Sequence, residues 1–279
     1  MFLQRMKKAF LLVSVLLLSV SCSEYQKLLK SEDTGKKYAT AEQLYNEAKE
    51  EESKPKFRKA LRLFEQIVPE YRGKPQGEKL SFLFADTYYQ LGDYYLSSYQ
   101  FERFQQSYPN SEKLEEAAFK KAASFYELSP RYDLDQTDTR KAITELQAYL
   151  NAFPEGEYAV RANELATELR IKLEKKAFEI AKQYHTTGLA RAGNYRAAIT
   201  SFDNFIKGYP GSPFREEAFY YRYDAAYQLA INSFASLMEE RLKEAKTYYQ
   251  SYVKRYPEGE YLSSMNASLE DIETRLQNL

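Results

Sequence analysis

The chain has 279 residues, with 40 lysines and arginines against 40 aspartates and glutamates, one histidine, one cysteine and no tryptophan. A net charge of zero gives no electrostatic reason to hold nucleic acid, and one histidine with one cysteine leaves neither a His/Cys metal cluster nor an internal disulfide to assemble. Tyrosine (26) and phenylalanine (17) are abundant while glycine (10) and proline (9) are sparse, which predicts long aromatic-rich helices with few punctuation points.

In chain order, the first element is the apolar run Ala9–Val20, preceded by Lys7-Lys8 and followed by Ser21-Cys22-Ser23. A cationic start, an apolar core too short to span a bilayer and a small residue at the junction predict a secretory signal peptide over residues 1–21. The segment Ser19-Val20-Ser21-Cys22 resembles the bacterial lipoprotein signal, with Ser19 where leucine is usual. That resemblance implies cleavage between Ser21 and Cys22 and a covalent lipid on Cys22; no other cofactor and no metal is expected. Removing residues 1–21 takes away Arg5, Lys7 and Lys8 and leaves 37 bases against 40 acids, so attachment to a membrane falls to the lipid. Residues 22–37 read as an extended tether from lipid to domain.

One pattern then recurs five times: a small residue, with large apolar or aromatic residues at +4, +7 and, in most copies, +8. It opens at Ala60, Ser97, Ala142, Ala198 and Ala245, and the last four copies end on Pro109, Pro154, Pro210 and Pro257. The spacing marks one face of an α-helix; the small residue admits a neighbouring helix and the proline stops the run. Gly92-Asp93 and Gly193-Asn194 precede two of the copies, glycine offering a left-handed helix end and Asp or Asn a cap for the next helix. Such helix–turn–helix units resemble the tetratricopeptide repeat. The expected fold is all-α, a tetratricopeptide-repeat solenoid of five helix pairs and a C-terminal capping helix. Its parts are an N-terminal half of three repeats over 38–157, then a long joining helix and a C-terminal half of two repeats plus cap over 158–279.

Chemistry is hard to find. His185 falls near the end of the long helix, as a surface or capping residue, and the glycines are scattered singly, so no phosphate loop forms. Paired acids such as Glu115-Glu116 read as solvated helix faces. The chain is therefore not expected to be an enzyme. The polar stretch Ser129–Thr139 reads as an insertion between the two helices of the third repeat, either a capped neutral loop or, through Asp135, Gln136 and Thr137, a contact.

The lipoprotein signal, five repeats divided three and two, this third-repeat loop and the helix ends Phe101–Pro109 and Phe202–Pro210 together resemble the BamD family of outer-membrane β-barrel assembly lipoproteins. The resemblance runs over residues 22–260. It implies a non-catalytic scaffold, lipid-anchored in the outer membrane and facing the periplasm. The implied partners are the POTRA region of BamA, other Bam subunits and unfolded β-barrel precursors, whose C-terminal signals would meet the N-terminal repeats. Tyr89, Tyr95, Tyr99 and Tyr126 are candidates for the wall of a peptide groove, and Tyr220, Arg222 and Tyr223 for an exposed BamA interface. Two alternatives stay open: a periplasmic repeat adaptor for cell-envelope enzymes, and a SusD-like glycan-capture lipoprotein, against which the absence of tryptophan speaks.

Overall fold

A computed structural model describes residues 24–191 and 193–279. The signal peptide, the junction at Ser21 and the lipidation site Cys22 lie outside the described residues. Among the described residues there is no strand, and the elements follow one another as helix pairs. The pairs are α1 (Thr34–Glu50) with α2 (Lys54–Ile67), α3 (Gly77–Leu91) with α4 (Tyr94–Ser107), and α5 (Leu114–Leu128) with α6 (Thr137–Ala152). Next come α7 (Ala159–Thr186) with α8 (Gly193–Gly208), α9 (Arg215–Ile231) with α10 (Ala235–Arg255), and the closing helix α11 (Leu262–Gln277). The fold is all-α, of the tetratricopeptide helix-pair kind.

The recurring pattern does what its spacing predicts. Ala60, Ser97, Ala142, Ala198 and Ala245 are all fully buried where helices touch, and the +7 residues Ile67, Phe104, Tyr149, Phe205 and Tyr252 are buried beside them. Each such large side chain contributes roughly 1.5–3 kcal/mol by leaving water. Gly92 ends α3 with φ +83°, its N–H reaching the carbonyls of Tyr88 and Tyr89, and Asp93 caps α4 through the Leu96 N–H. The second turn behaves differently. Gly193 is already the first residue of α8 and has no left-handed φ, while the Asn194 amide donates back to Thr187 Oγ1 (2.9 Å). A longer connection, running on from Thr186, replaces the tight glycine turn that the sequence suggested.

The chain divides into two compact units. Unit one holds the described residues up to Ser129 together with Arg140–Leu165, and unit two holds Pro130–Thr139 and Ala166–Leu279. The division falls inside the long helix, after Leu165, rather than before it at residue 158. In unit one, residues 24–30 are helical and Tyr25, Leu28 and Leu29 pack against the α1–α4 core. The extended tether expected over 22–37 is thus absent from residue 24 onward, because three apolar residues at i, i+3 and i+4 give that segment a face to bury.

Each unit contains the same tyrosine latch. The Tyr149 hydroxyl donates to Glu115 Oε1 (2.9 Å) and accepts the Tyr158 N–H (3.2 Å). In unit two Tyr252 donates to Glu216 Oε1 (2.7 Å) and accepts the Tyr261 N–H (3.1 Å). Glycine is required beside both, since a Cβ on Gly156 or Gly259 would lie under 3 Å from the tyrosine and glutamate oxygens.

Candidate functional site

Unit one carries the strongest exposed aromatic feature. Tyr95 (71% exposed) and Tyr99 (49%) stand one turn apart on α4, as i and i+4 spacing requires, and the Arg103 guanidinium lies 5.7 Å from the Tyr99 ring. Arg103 also borders a cleft of about 390 Å³ between the end of α2, α3 and α4, with Glu65, Arg72, Phe84, Gln100 and Phe104 on its other sides. Aromatic rings with two guanidinium groups suit an anionic or aromatic peptide segment.

Tyr89 and Tyr126 do not join that row. Tyr89, on α3, is half-buried and packs edge-on to Tyr94 (5.5 Å); burial and then the Glu127 carboxylate raise its pKa. Tyr126 is half-buried on α5, next to Glu127. Of the four expected groove tyrosines, Tyr95 and Tyr99 thus stand with Arg103 as an exposed row, whereas Tyr89 and Tyr126 are half-buried on α3 and α5.

A buried ionic network joins the first helices of the first three pairs. Asp86, fully buried on α3, accepts from the Tyr45 hydroxyl of α1 and from the Lys120 ammonium of α5 (2.5 Å), and Lys120 also reaches Glu116 (2.9 Å). Burial by itself would lower the Lys120 pKa, but Asp86 and Glu116 outweigh it and raise it. Glu116 is pulled up by burial and brought below its ordinary value by Lys113 and Lys120, while burial and the Asp86 charge push Tyr45 far up. Sequence reading missed this network and the two cleft arginines. Asp86 did carry a signal, as an acid ending the apolar run Leu83-Phe84-Ala85; Arg72 and Arg103 carried none.

In unit two the expected interface turns inward. Arg222 is buried, its Nη1 2.6 Å from Asp203 Oδ1 and its guanidinium held between the rings of Phe219 (4.8 Å) and Tyr248 (4.4 Å). Tyr223 is buried as well; its hydroxyl donates to the Met265 carbonyl (3.2 Å), and burial raises its pKa. Both are core residues, which corrects their placement on an exposed patch. The cause is that α9 packs on α8, α10 and α11, so more than one of its faces is covered. Tyr220 is half-buried and stacks on Tyr261 at 4.4 Å. Exposed apolar side chains lie instead at the α9–α10 turn, Phe234 (83%) and Leu237.

His185 is likewise more enclosed than expected, with Nε2 2.6 Å from Asp224 Oδ2 and its ring edge-on to Tyr221 (5.0 Å). The third-repeat loop is an ordered part of unit two. Gln136 is buried, its amide donating to the carbonyls of Arg131 (2.8 Å) and Leu134 (3.0 Å) while its oxygen accepts from Thr139. Asp135 and Thr137 are exposed, and Asp135 Oδ1 accepts the Thr137 N–H (2.9 Å). Lys176 bonds the Leu134 carbonyl and Lys175 lies 4.5 Å from the Tyr132 ring, so α7 holds the loop. Gln136 is a staple of that loop rather than a contact for a partner.

Among the described residues no three His, Cys, Asp or Glu side chains converge as a metal site, and no helix is long and apolar enough to cross a membrane. The YfiO family, described as outer membrane lipoprotein, matches residues 37–197 and 189–278. No match was found among curated proteins. Among solved structures, a de novo designed helical repeat protein shares 14% identity across 91% of this chain and 98% of its own, at a TM-score of 0.13. That likeness is too loose to carry an argument, and the repeat assignment stands on the helix pairs themselves.

Proposed function

Because the chain belongs to the YfiO family of outer membrane lipoproteins, we propose that it is a non-catalytic scaffold of β-barrel assembly, held on the periplasmic face of the outer membrane by lipid on Cys22. In this reading unit one receives the C-terminal signals of unfolded barrel precursors, and unit two holds the POTRA region of BamA among the other Bam subunits. The observation that carries the reading is the exposed Tyr95–Tyr99–Arg103 row running into the Arg72 cleft. An extended segment ending in an aromatic residue and a carboxylate finds rings to stack on and guanidinium groups to pair with.

For BamA, the burial of Arg222 and Tyr223 moves the candidate contact to Phe234 and Leu237, exposed apolar side chains of the kind that anchor interfaces. The test is site-specific photocrosslinking in cells. A crosslinker at position 99 is expected to capture barrel precursors, and one at position 234 to capture BamA. Failure of position 99 to capture any precursor, with the protein folded and in the membrane, would sink the peptide-receiving role.

A further inference from the structure

The described chain begins with the helical segment 24–30, seated on the first helix pair. Its Tyr25 hydroxyl donates to the Lys59 carbonyl (2.9 Å), and the Lys59 ammonium lies 5.6 Å from the Tyr25 ring. Between this segment, the start of α1 and Lys59 runs a groove of about 730 Å³. Three lysines line it, Lys27, Lys36 and Lys59, and none of them is ion-paired among the described residues. Two acids share the lining, Glu24 and Asp33; Asp33 Oδ1 accepts the Lys36 backbone N–H (2.9 Å) as the cap of α1 and keeps its charge, so the lining holds three cations against two anions. Tyr25, Leu28 and Leu44 give the wall its apolar part, and Ser31, Thr40 and Gln43 complete it.

Only Ser23 stands between Cys22 and Glu24, two steps along the chain, and a chain covers at most about 3.6 Å per residue. A lipid on Cys22 therefore enters its bilayer within roughly 7 Å of backbone reach from Glu24 and this groove. Although the whole chain is neutral, this edge is not: three lysine ammonium groups outnumber the two carboxylates of Glu24 and Asp33 where headgroup phosphates would be nearest.

We propose that the Lys27–Lys36–Lys59 groove takes the phosphate of an anionic phospholipid headgroup in the membrane that carries the anchor, so that acyl chains and lysines together orient the first helix pair on the surface. The inference rests on lipidation of Cys22. Acyl anchoring gains a second, electrostatic attachment, as in other singly placed anchors that use a basic patch. Each lysine near an anionic surface strengthens binding about fivefold.

The test uses the mature lipidated protein in vesicles of phosphatidylcholine alone and of phosphatidylcholine with phosphatidylglycerol, with amine acylation read at each lysine by mass spectrometry. On anionic vesicles Lys27, Lys36 and Lys59 are expected to react at about one fifth of their rate on neutral ones, with Lys113 and Lys141 unchanged. Equal rates on both vesicles overturn the proposal. Equal protection on neutral vesicles by added inorganic phosphate also overturns it, making the groove a soluble-phosphate site. The mass of the Cys22 peptide reports the anchor separately: an unacylated Cys22 sinks the anchored reading, whereas an acylated Cys22 with unprotected lysines sinks only the groove. The variant Lys27→Gln/Lys36→Gln/Lys59→Gln removes exposed charge and leaves the Lys59 carbonyl in place. It should leave anionic vesicles for a neutral excess on the order of a hundredfold faster, and an unchanged rate counts against the groove.

Discussion

The second and third repeats of unit one and the fourth and fifth of unit two share one frame and differ where charge enters it. Phe82 meets Phe101 and Phe104 at 5.7 and 5.5 Å, and Phe178 meets Phe202 and Phe205 at 5.8 and 5.7 Å. One turn beyond each phenylalanine stands the ionic residue, Asp86 in one unit and Lys182 in the other. Lys120 answers Asp86 and also pairs with Glu116; Glu217 answers Lys182 at 2.9 Å, with the Tyr221 ring 4.7 Å from the ammonium. Acid precedes base in unit one and base precedes acid in unit two. Exposure differs too, since the Asp86 side chain is sealed and Lys120 is 15% exposed, whereas Lys182 is 33% exposed. The frame thus accepts either polarity, and burial decides how much stability depends on the pair.

That difference is sharpest under substitution. Lys120→Met leaves Asp86 buried without its cation and should cost about 3–5 kcal/mol, whereas Lys182→Met, at a solvent-screened pair, should cost less than about 1 kcal/mol. Urea unfolding with unit-resolved hydrogen exchange measures both, and equal losses would break the comparison. Acid sharpens it further. Glu116 has a folded pKa below its ordinary 4.5, set against burial by Lys113 and Lys120. Its contribution is therefore fully present above pH 4.5 and lost as pH falls through the lower folded value. Unit one should lose protection in that window, and the Lys120→Met variant should lose less, because one of the two cations that depress Glu116 is gone.

Where the units agree, the effects should match. Tyr149→Phe and Tyr252→Phe each remove a buried hydroxyl that serves a carboxylate and a backbone N–H, at about 1.5–3 kcal/mol apiece. The flanking stacks are also alike, Phe119 on Tyr158 at 4.6 Å and Tyr220 on Tyr261 at 4.4 Å. A more than twofold difference between the two losses would show that the latches are not equivalent.

Much of this frame was legible in the residues. The small residue with large partners at +4 and +7 placed the second helix of every pair, and Gly92-Asp93 placed a turn. The latch was not read from the sequence: Pro154-Glu155-Gly156-Glu157-Tyr158 and Pro257-Glu258-Gly259-Glu260-Tyr261 repeat one motif, but the glutamates bonded by Tyr149 and Tyr252 lie 34 and 36 residues before those tyrosines. Helical periodicity tells which residues share a face; it does not tell how many faces of a helix are covered. Arg222 and Tyr223 were misplaced for that reason, α9 being packed by three neighbours. For Gln136 the sequence left a capped loop and a contact both open, because a polar side chain in a polar loop gives no sign that it will bond the loop's own carbonyls. Of the tyrosines expected to be exposed, Tyr95 and Tyr99 are, since they lie off the Ser97–Phe101–Phe104 face, while Tyr89 is half-buried against Tyr94.

The smallest expected effect on stability belongs to that exposed row, and it tests whether the two units divide the work. Tyr99→Ala should change folding stability by no more than about 0.5 kcal/mol, because half of the side chain is already in water. It should nevertheless weaken capture of a precursor's C-terminal peptide about tenfold, the usual consequence of losing an aromatic anchor worth about 1.4 kcal/mol. Phe234→Ala should show the converse, with peptide capture intact and BamA retention reduced in pull-downs from membranes. If Tyr99→Ala lowers BamA retention as much as peptide capture, the rings on α4 serve one shared surface, and the assignment of separate partners to the two units fails.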